Sequence, residues 1–95
     1  MNLSELRAKK PEIIKIASQY GVREIKVFGS IARGDENENS DIDLLIDNFN
    51  GTFFGFASLK AELEDAIGKK IDLFKPNNIR HPLVRESIFR DLVPL

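Results

Sequence analysis

Apolar positions near the start of the chain recur with a helical period. Ile13, Ile16, Ala17 and Tyr20 fall at i, i+3, i+4 and i+7 and share one face. The pattern predicts helix over residues 3–20, with Pro11 suited to the first turn of a fresh helix and Gly21 to the stop. Ile25 to Phe28 reads as a short strand leading into Gly29. Residues 33–40, RGDENENS, are polar throughout and read as a loop. From Asp41 to Asp47 apolar residues alternate with aspartates, which is the period of a strand. Helical spacing returns over residues 55–67, where Phe56, Leu59, Leu63 and Ile67 share a side and Gly68 ends the run. Ile71 to Phe74 makes a third strand, closed by Pro76, and Pro82 opens a last helix that reaches about Asp91. The order helix, strand, strand, helix, strand, helix predicts an α+β fold: three strands covered by helices. Ninety-five residues make one domain, 1–95, because neither half of so short a chain holds a workable core.

Composition narrows the class. Hydrophobic residues are 42% of the chain, ordinary for a globular protein. No apolar run approaches the ~20 residues of a membrane-spanning helix, so no membrane association is expected. The opening MNLSELRAKK lacks the apolar stretch of a signal peptide. There is no cysteine, hence no disulfide framework and no thiolate metal site, and a cytoplasmic location is expected. Fourteen Lys and Arg stand against fifteen Asp and Glu. That balance gives no basic stripe for gripping long nucleic acid, so an extended nucleic-acid surface is not expected. Small nucleotides, or an acceptor carried by a protein, suit the charge better.

The candidate chemistry lies between Phe28 and Asp47, FGSIARGDENENSDIDLLID. Alternation puts Asp41, Asp43, Leu45 and Asp47 on one strand face and Ile42, Leu44 and Ile46 on the other. Asp41 and Asp43 then project side by side, roughly 7 Å apart at their α-carbons, a spacing from which two carboxylates can converge on hard cations. Asp72 alternates in the same way within the third strand and completes a cluster of three if that strand lies beside the second. The plain alternative is the solvated face of a one-sided sheet. Against it, Asp is disfavoured in strands, and three close carboxylates repel unless a cation sits among them. Gly29 and Ser30 stand where the first strand ends. A glycine there lets backbone approach a ligand closely, and backbone N–H groups with the Ser30 hydroxyl can cradle a phosphate. Arg33 is near enough to touch a phosphate or the acceptor, though a surface arginine would look the same. Ser40 is expected to cap its loop or position Asp41. Asp47 is read as solvated and His81 as a surface residue. Phe53, Phe54 and Phe56 are read as core or partner contacts.

Other motif readings fail. No G-x-x-x-x-G-K-[ST] and no G-x-G-x-x-G occurs. Asp35, Asn37 and Asn39 mimic the start of an EF-hand loop, but Ser40 replaces its glycine and Ile46 its terminal glutamate. By contrast, Phe28-Gly29-Ser30 followed after ten residues by Asp41-Ile42-Asp43-Leu44 resembles the signature of the DNA polymerase β-like nucleotidyltransferase superfamily. The fuller GSIARG…SDIDLLI with the later KKIDLF is similar to the minimal nucleotidyltransferases of bacteria and archaea, antitoxin subunits encoded beside HEPN-domain toxins.

The resemblance implies a minimal polymerase β-like fold, a mixed three-stranded sheet flanked by helices. Strands one and two would be antiparallel, and strands two and three parallel. It implies that Gly29 and Ser30 hold the triphosphate and that Asp41, Asp43 and Asp72 bind metal and serve catalysis. Asp72 would help to activate the attacking hydroxyl. The implied substrate is ATP, the implied cofactor is Mg2+ as two ions, and the implied partner is a HEPN-type toxin that receives AMP on a tyrosine. The residue types suit such chemistry on their own account. In-line attack on an α-phosphorus is served by two metal ions held by carboxylates, and all the ligands are hard oxygens. A non-catalytic module that neutralises a partner by contact, and transfer to a small molecule or an RNA end, are the alternatives.

Overall fold

The polar–apolar period is realised as helices and strands in the expected order. The computed structural model describes residues 1–47 and 49–95. The first helical stretch is two helices, α1 (Leu3–Ala8) and α2 (Lys10–Ser18), broken at Lys9 with Pro11 in the first turn of the second. Strand β1 (Ile25–Phe28) runs straight into a short helix, α3 (Gly29–Arg33). Then follow β2 (Ile42–Ile46), α4 (Phe53–Ile67), β3 (Ile71–Phe74), a 3-10 turn (Pro76–Asn78), α5 (Pro82–Asp91) and β4 (Val93–Pro94). Thr52 caps α4 by accepting from the Gly55 N–H at 3.1 Å. Gly68 ends it at φ +79°, a conformation open to glycine.

The sheet has four strands in the order β3-β2-β1-β4, one more than the sequence pattern predicts. β1 is antiparallel to β2 and to β4, while β2 is parallel to β3 through the α4 crossover. The extra strand escapes a periodicity reading because it spans only Val93–Pro94. Proline lacks the N–H of a central strand, so it sits on an edge. The Leu95 N–H still donates to the Ile25 carbonyl at 3.2 Å.

One sheet face packs on α1, α2 and α4. Ile25, Val27, Ile42, Leu44, Ile46 and Ile71 meet Leu6, Ile13, Ala17, Leu59, Leu63 and Ile67 there. The other face carries a smaller apolar cluster of Phe28, Leu45 and Ile79, against which Phe74, Ile88 and Leu92 pack. Among the described residues no helix is long and apolar enough to cross a membrane.

Candidate functional site

The site is built by register. In β2, Ile42, Leu44 and Ile46 enter the larger core, so Asp43 and Leu45 point to the α5 side. β3 lies parallel to β2 with Asp72 directly opposite Asp43, and Phe28 is the partner of Asp43 on the antiparallel side. Two hydrogen bonds fix the start of β3. The Ile42 N–H donates to the Lys70 carbonyl at 3.1 Å, and the Ile71 N–H donates to Glu64 Oε2 on α4 at 3.0 Å. A slip of one residue would turn Asp72 into the larger core.

Asp43 is half-buried, and burial pushes its carboxyl up to about 6. The charges of Asp72 and Asp41 and a hydrogen bond with Asp72 act in the same direction, while the Arg33 charge opposes them. A carboxyl–carboxyl hydrogen bond requires a proton on one partner, so the pair disfavours carrying two negative charges unless a cation joins it. Asp41 stands one residue before β2 and is exposed, whereas the sequence pattern began the strand at that residue. Its charge reaches Asp43, but no ladder hydrogen bond holds it in the strand. Among the described residues no three acidic, histidine or cysteine side chains close into a ready-made metal cage. The paired carboxylates nevertheless suit a divalent cation: they are hard oxygen donors, and their mutual repulsion is relieved by positive charge.

Gly29 follows β1 at φ +74° and opens α3. A β-carbon added there would overlap the Asp43 carboxylate. Only glycine therefore lets this turn lie against the Asp43 carboxylate. No side chain caps the start of α3. Ser30 follows on the same helix, partly buried. Arg33 ends it, half-exposed, with Nε 3.1 Å from Asp35 Oδ2 and Nη1 2.7 Å from Asp91 Oδ2. The structure thus brings Gly29, Asp43 and Asp72 together, with Ser30 and Arg33 on the adjoining helix and Asp41 at the margin.

Other sequence readings resolve around this frame. Ser40 Oγ accepts from the Asn37 N–H at 3.0 Å, closing the polar loop before Asp41. Asp47 is not merely solvated: its Oδ1 accepts from the Arg23 and Glu24 N–H groups at 3.1 and 2.8 Å and ties down the approach to β1. His81 is exposed and caps α5, its Nδ1 accepting from the Leu83 N–H at 3.2 Å. Phe56 packs on the larger core, whereas Phe53 and Phe54 are 78% and 80% exposed. Sequence reasoning missed Glu64, which accepts from the Ile71 N–H seven residues on, and Asp91, which meets Arg33 from 58 residues away; neither contact leaves a periodic signal. A hollow of about 180 Å³ lies elsewhere on the α5 face, bordered by Lys26, Leu45, Phe89 and Leu92. It includes neither Asp43 nor Asp72. The candidate site is therefore carried by the paired carboxylates and the glycine turn, not by this hollow.

A mixed sheet with a Gly-Ser turn against a strand aspartate is the arrangement that the resemblance to nucleotidyltransferases implies. The family model "Polymerase beta, Nucleotidyltransferase" matches residues 11–95, and the chain belongs to that family. It is 38% identical over 94 residues to the Methanocaldococcus jannaschii protein MJ0435, described as a candidate protein adenylyltransferase, covering 98% of this chain and 97% of that protein. It is 34% identical over 91 residues to the protein adenylyltransferase MntA of Thermococcus cleftensis, covering 95% of this chain and 88% of that one. A solved structure described as a candidate minimal nucleotidyltransferase superposes with a TM-score of 0.83 at 34% identity, over 100% of this chain and 97% of the other. A toxin–antitoxin crystal structure with AMP-PNP shares the fold, with a TM-score of 0.73 at 20% identity, over 90% of this chain and 70% of the other.

Proposed function

We propose that this chain is a metal-dependent adenylyltransferase antitoxin of the cytoplasm. It moves AMP from ATP onto a tyrosine hydroxyl of a HEPN-type toxin partner and so inactivates it. The observation that carries the reading is the Asp43–Asp72 pair, in register, with the Asp43 carboxylate lying directly against Gly29. The acidic pair asks for a cation, and the glycine turn leaves room for a phosphate beside it. The adenylyltransferase names of relatives that match nearly the full chain support AMP as the group and a protein as the acceptor. The toxin–antitoxin structures of like fold support a toxin as that protein.

In this reading each residue has one task. Gly29 gives close backbone approach to the triphosphate, and the Ser30 hydroxyl donates to it. Arg33 adds a charged, planar donor at a phosphate oxygen. Asp41, Asp43 and Asp72 would hold Mg2+, as two ions, through hard carboxylate oxygens. Bound magnesium supplies neutralisation of phosphate charge and a lowered pKa for the acceptor hydroxyl. Asp72 orients that hydroxyl for attack on the α-phosphorus, opposite the departing pyrophosphate. A phenol has a pKa near 10, low enough that no separate strong base is required.

The test is co-expression with the product of the neighbouring gene, followed by intact-mass measurement of that product. The expected result is a mass gain of one or more AMP units that disappears with Asp43→Asn. A stable complex with no added mass, neutralised equally well by the variant, would replace the enzyme with a binding module. In a thermal-shift series, ATP with magnesium should stabilise the chain well beyond either component alone. Equal stabilisation by ATP in EDTA would contradict the shared cation.

A further inference from the structure

Arg33 is held from the far end of the chain. Its Nη1 lies 2.7 Å from Asp91 Oδ2, a contact across 58 residues, and its Nε lies 3.1 Å from Asp35. The two acids are not equivalent. Asp35 sits two residues on, in the same turn, with 61% of its side chain exposed, so it moves with Arg33. Asp91 is 18% exposed, on a helix that packs against both β1 and α3. It is the fixed anchor.

The position of Asp91 is costly for its own helix. It is the last residue of α5, where the helix dipole already presents partial negative charge and a carboxylate is disfavoured. Helix stability therefore does not account for it, and the Arg33 guanidinium does. A guanidinium carries five N–H donors. Nε–H and one Nη1–H are used here, which leaves an edge of the fork without a partner among the described residues. The charge of Arg33 is felt at Asp43, so the guanidinium stands within electrostatic reach of that carboxyl.

We propose that Asp91 is a positioning residue: it locks the Arg33 guanidinium beside the Asp43–Asp72 pair so that the open edge of the fork meets a nucleotide phosphate. The proposal rests on the nucleotidyltransferase reading above and adds a second point of phosphate capture, set by α5. A free arginine side chain loses much rotamer freedom on binding, and one already pinned on one edge loses less. The neighbouring carboxylates make this matter, since an Arg33 released from Asp91 is free to turn towards other acids around the site, Asp41 among them.

The experiment is calorimetric titration of AMP-PNP with magnesium into the full chain and its variants, with melting temperatures recorded alongside. If the unaltered chain takes up no AMP-PNP, the nucleotidyltransferase reading fails before the positioning question is reached. Given binding, Asp91→Asn should weaken it about tenfold, as loss of one oriented charged hydrogen bond does. Arg33→Ala should weaken it at least as much. The double variant should be no weaker than Arg33→Ala alone, because Asp91 acts only through Arg33. Asp91→Glu should recover part of the loss. Unchanged or tighter binding by Asp91→Asn, or additive losses in the double variant, overturns the proposal. Should Asp91→Asn melt too low to measure, Arg33→Lys asks the same question. It keeps the charge and loses the fork, and binding equal to the unaltered chain overturns the proposal as well.

Discussion

Leu44 and Leu45 are neighbours in β2 and look alike in sequence, yet they belong to different parts of the molecule. Leu44 is fully buried in the core made with α1, α2 and α4, where Ile13, Leu59 and Leu63 also lose all contact with solvent. Leu45 enters the small cluster beneath α5, a helix none of whose residues is fully buried. The first face is closed by three helices and holds no charge. The second is covered at one end by Phe28, Phe74 and Ile79 and left open where Asp43 and Asp72 meet. One face supplies the hydrophobic stabilisation, and that surplus lets the other keep two carboxylates in contact. The difference puts the hydrophobic stabilisation on one side of a thin sheet and the candidate carboxylates on the other.

The sharpest way to break that division is Asp43→Asn. The side chain is nearly isosteric, so the register of β2 and β3 should survive. Transfer should fall by about 10³-fold or more, since several kcal/mol of charge stabilisation is lost. Urea unfolding of the metal-free variant should show equal or higher stability, because the like-charge contact with Asp72 is gone. Single-turnover transfer to the partner measures the first quantity. Retained activity would detach the chemistry from this face.

The mirror-image change is Leu63→Ala. Leu63 is fully buried in the larger core, and truncation there should cost about 2–5 kcal/mol, transfer term and cavity together. The equivalent change on the other face, Ile88→Ala, touches a partly buried side chain at the edge of the small cluster and should cost only about 1 kcal/mol. Urea midpoints at constant m-value give both. Equal costs would mean that α5 carries as much of the fold as the three helices opposite.

What could be read from the sequence follows the same division. The closed face announces itself, because Ile13, Ala17, Leu59, Leu63 and Ile67 repeat at helical spacing and Ile42, Leu44 and Ile46 alternate. Pro11, Gly68 and Pro82 then mark the start of α2, the end of α4 and the start of α5, whereas α2 stops at Ser18, short of the expected residue 20, and α4 begins at Phe53, two residues before the expected 55. Asp43 and Asp72 were legible as well, since alternation alone puts them on the face away from that core. The open face hides its remaining parts. Leu45 falls among the aspartates in the strand pattern and gives no sign of a second cluster. Asp41 continues the alternation, yet the ladder begins one residue later, and no periodicity reveals where hydrogen bonding starts. Asp47 looks solvated until its bonds to the Arg23 and Glu24 N–H groups are seen. Asp91 meets Arg33 only because α5 folds back over α3. Local pattern reports burial; it does not report which distant charge a side chain will meet.

The smallest expected effect is a pH dependence that belongs to the open face alone. In the metal-free chain the Asp43 carboxyl is raised from 3.8 to about 6, by burial first and by Asp72 and Asp41 next. A carboxyl whose folded pKa lies above its unfolded one favours the folded state while it stays protonated. Its contribution is fully present below the unfolded value and is lost as pH rises through the folded value. Over this window the unaltered chain in EDTA should therefore be more stable near pH 5 than near pH 7. The size is modest: Asp43 is only half-buried, and solvent screening holds the effect to no more than about 1 kcal/mol. For a domain of this size that amounts to a melting shift of at most about 4–8 °C. Asp43→Asn should flatten the slope between those two pH values, whereas Leu63→Ala should lower the whole curve and leave the slope intact. Melting curves of the three proteins in EDTA at pH 5, 6 and 7 make the comparison. A slope that persists in Asp43→Asn would place the titrating group elsewhere in the molecule, and a slope lost in Leu63→Ala would mean that the two faces are not separable at all.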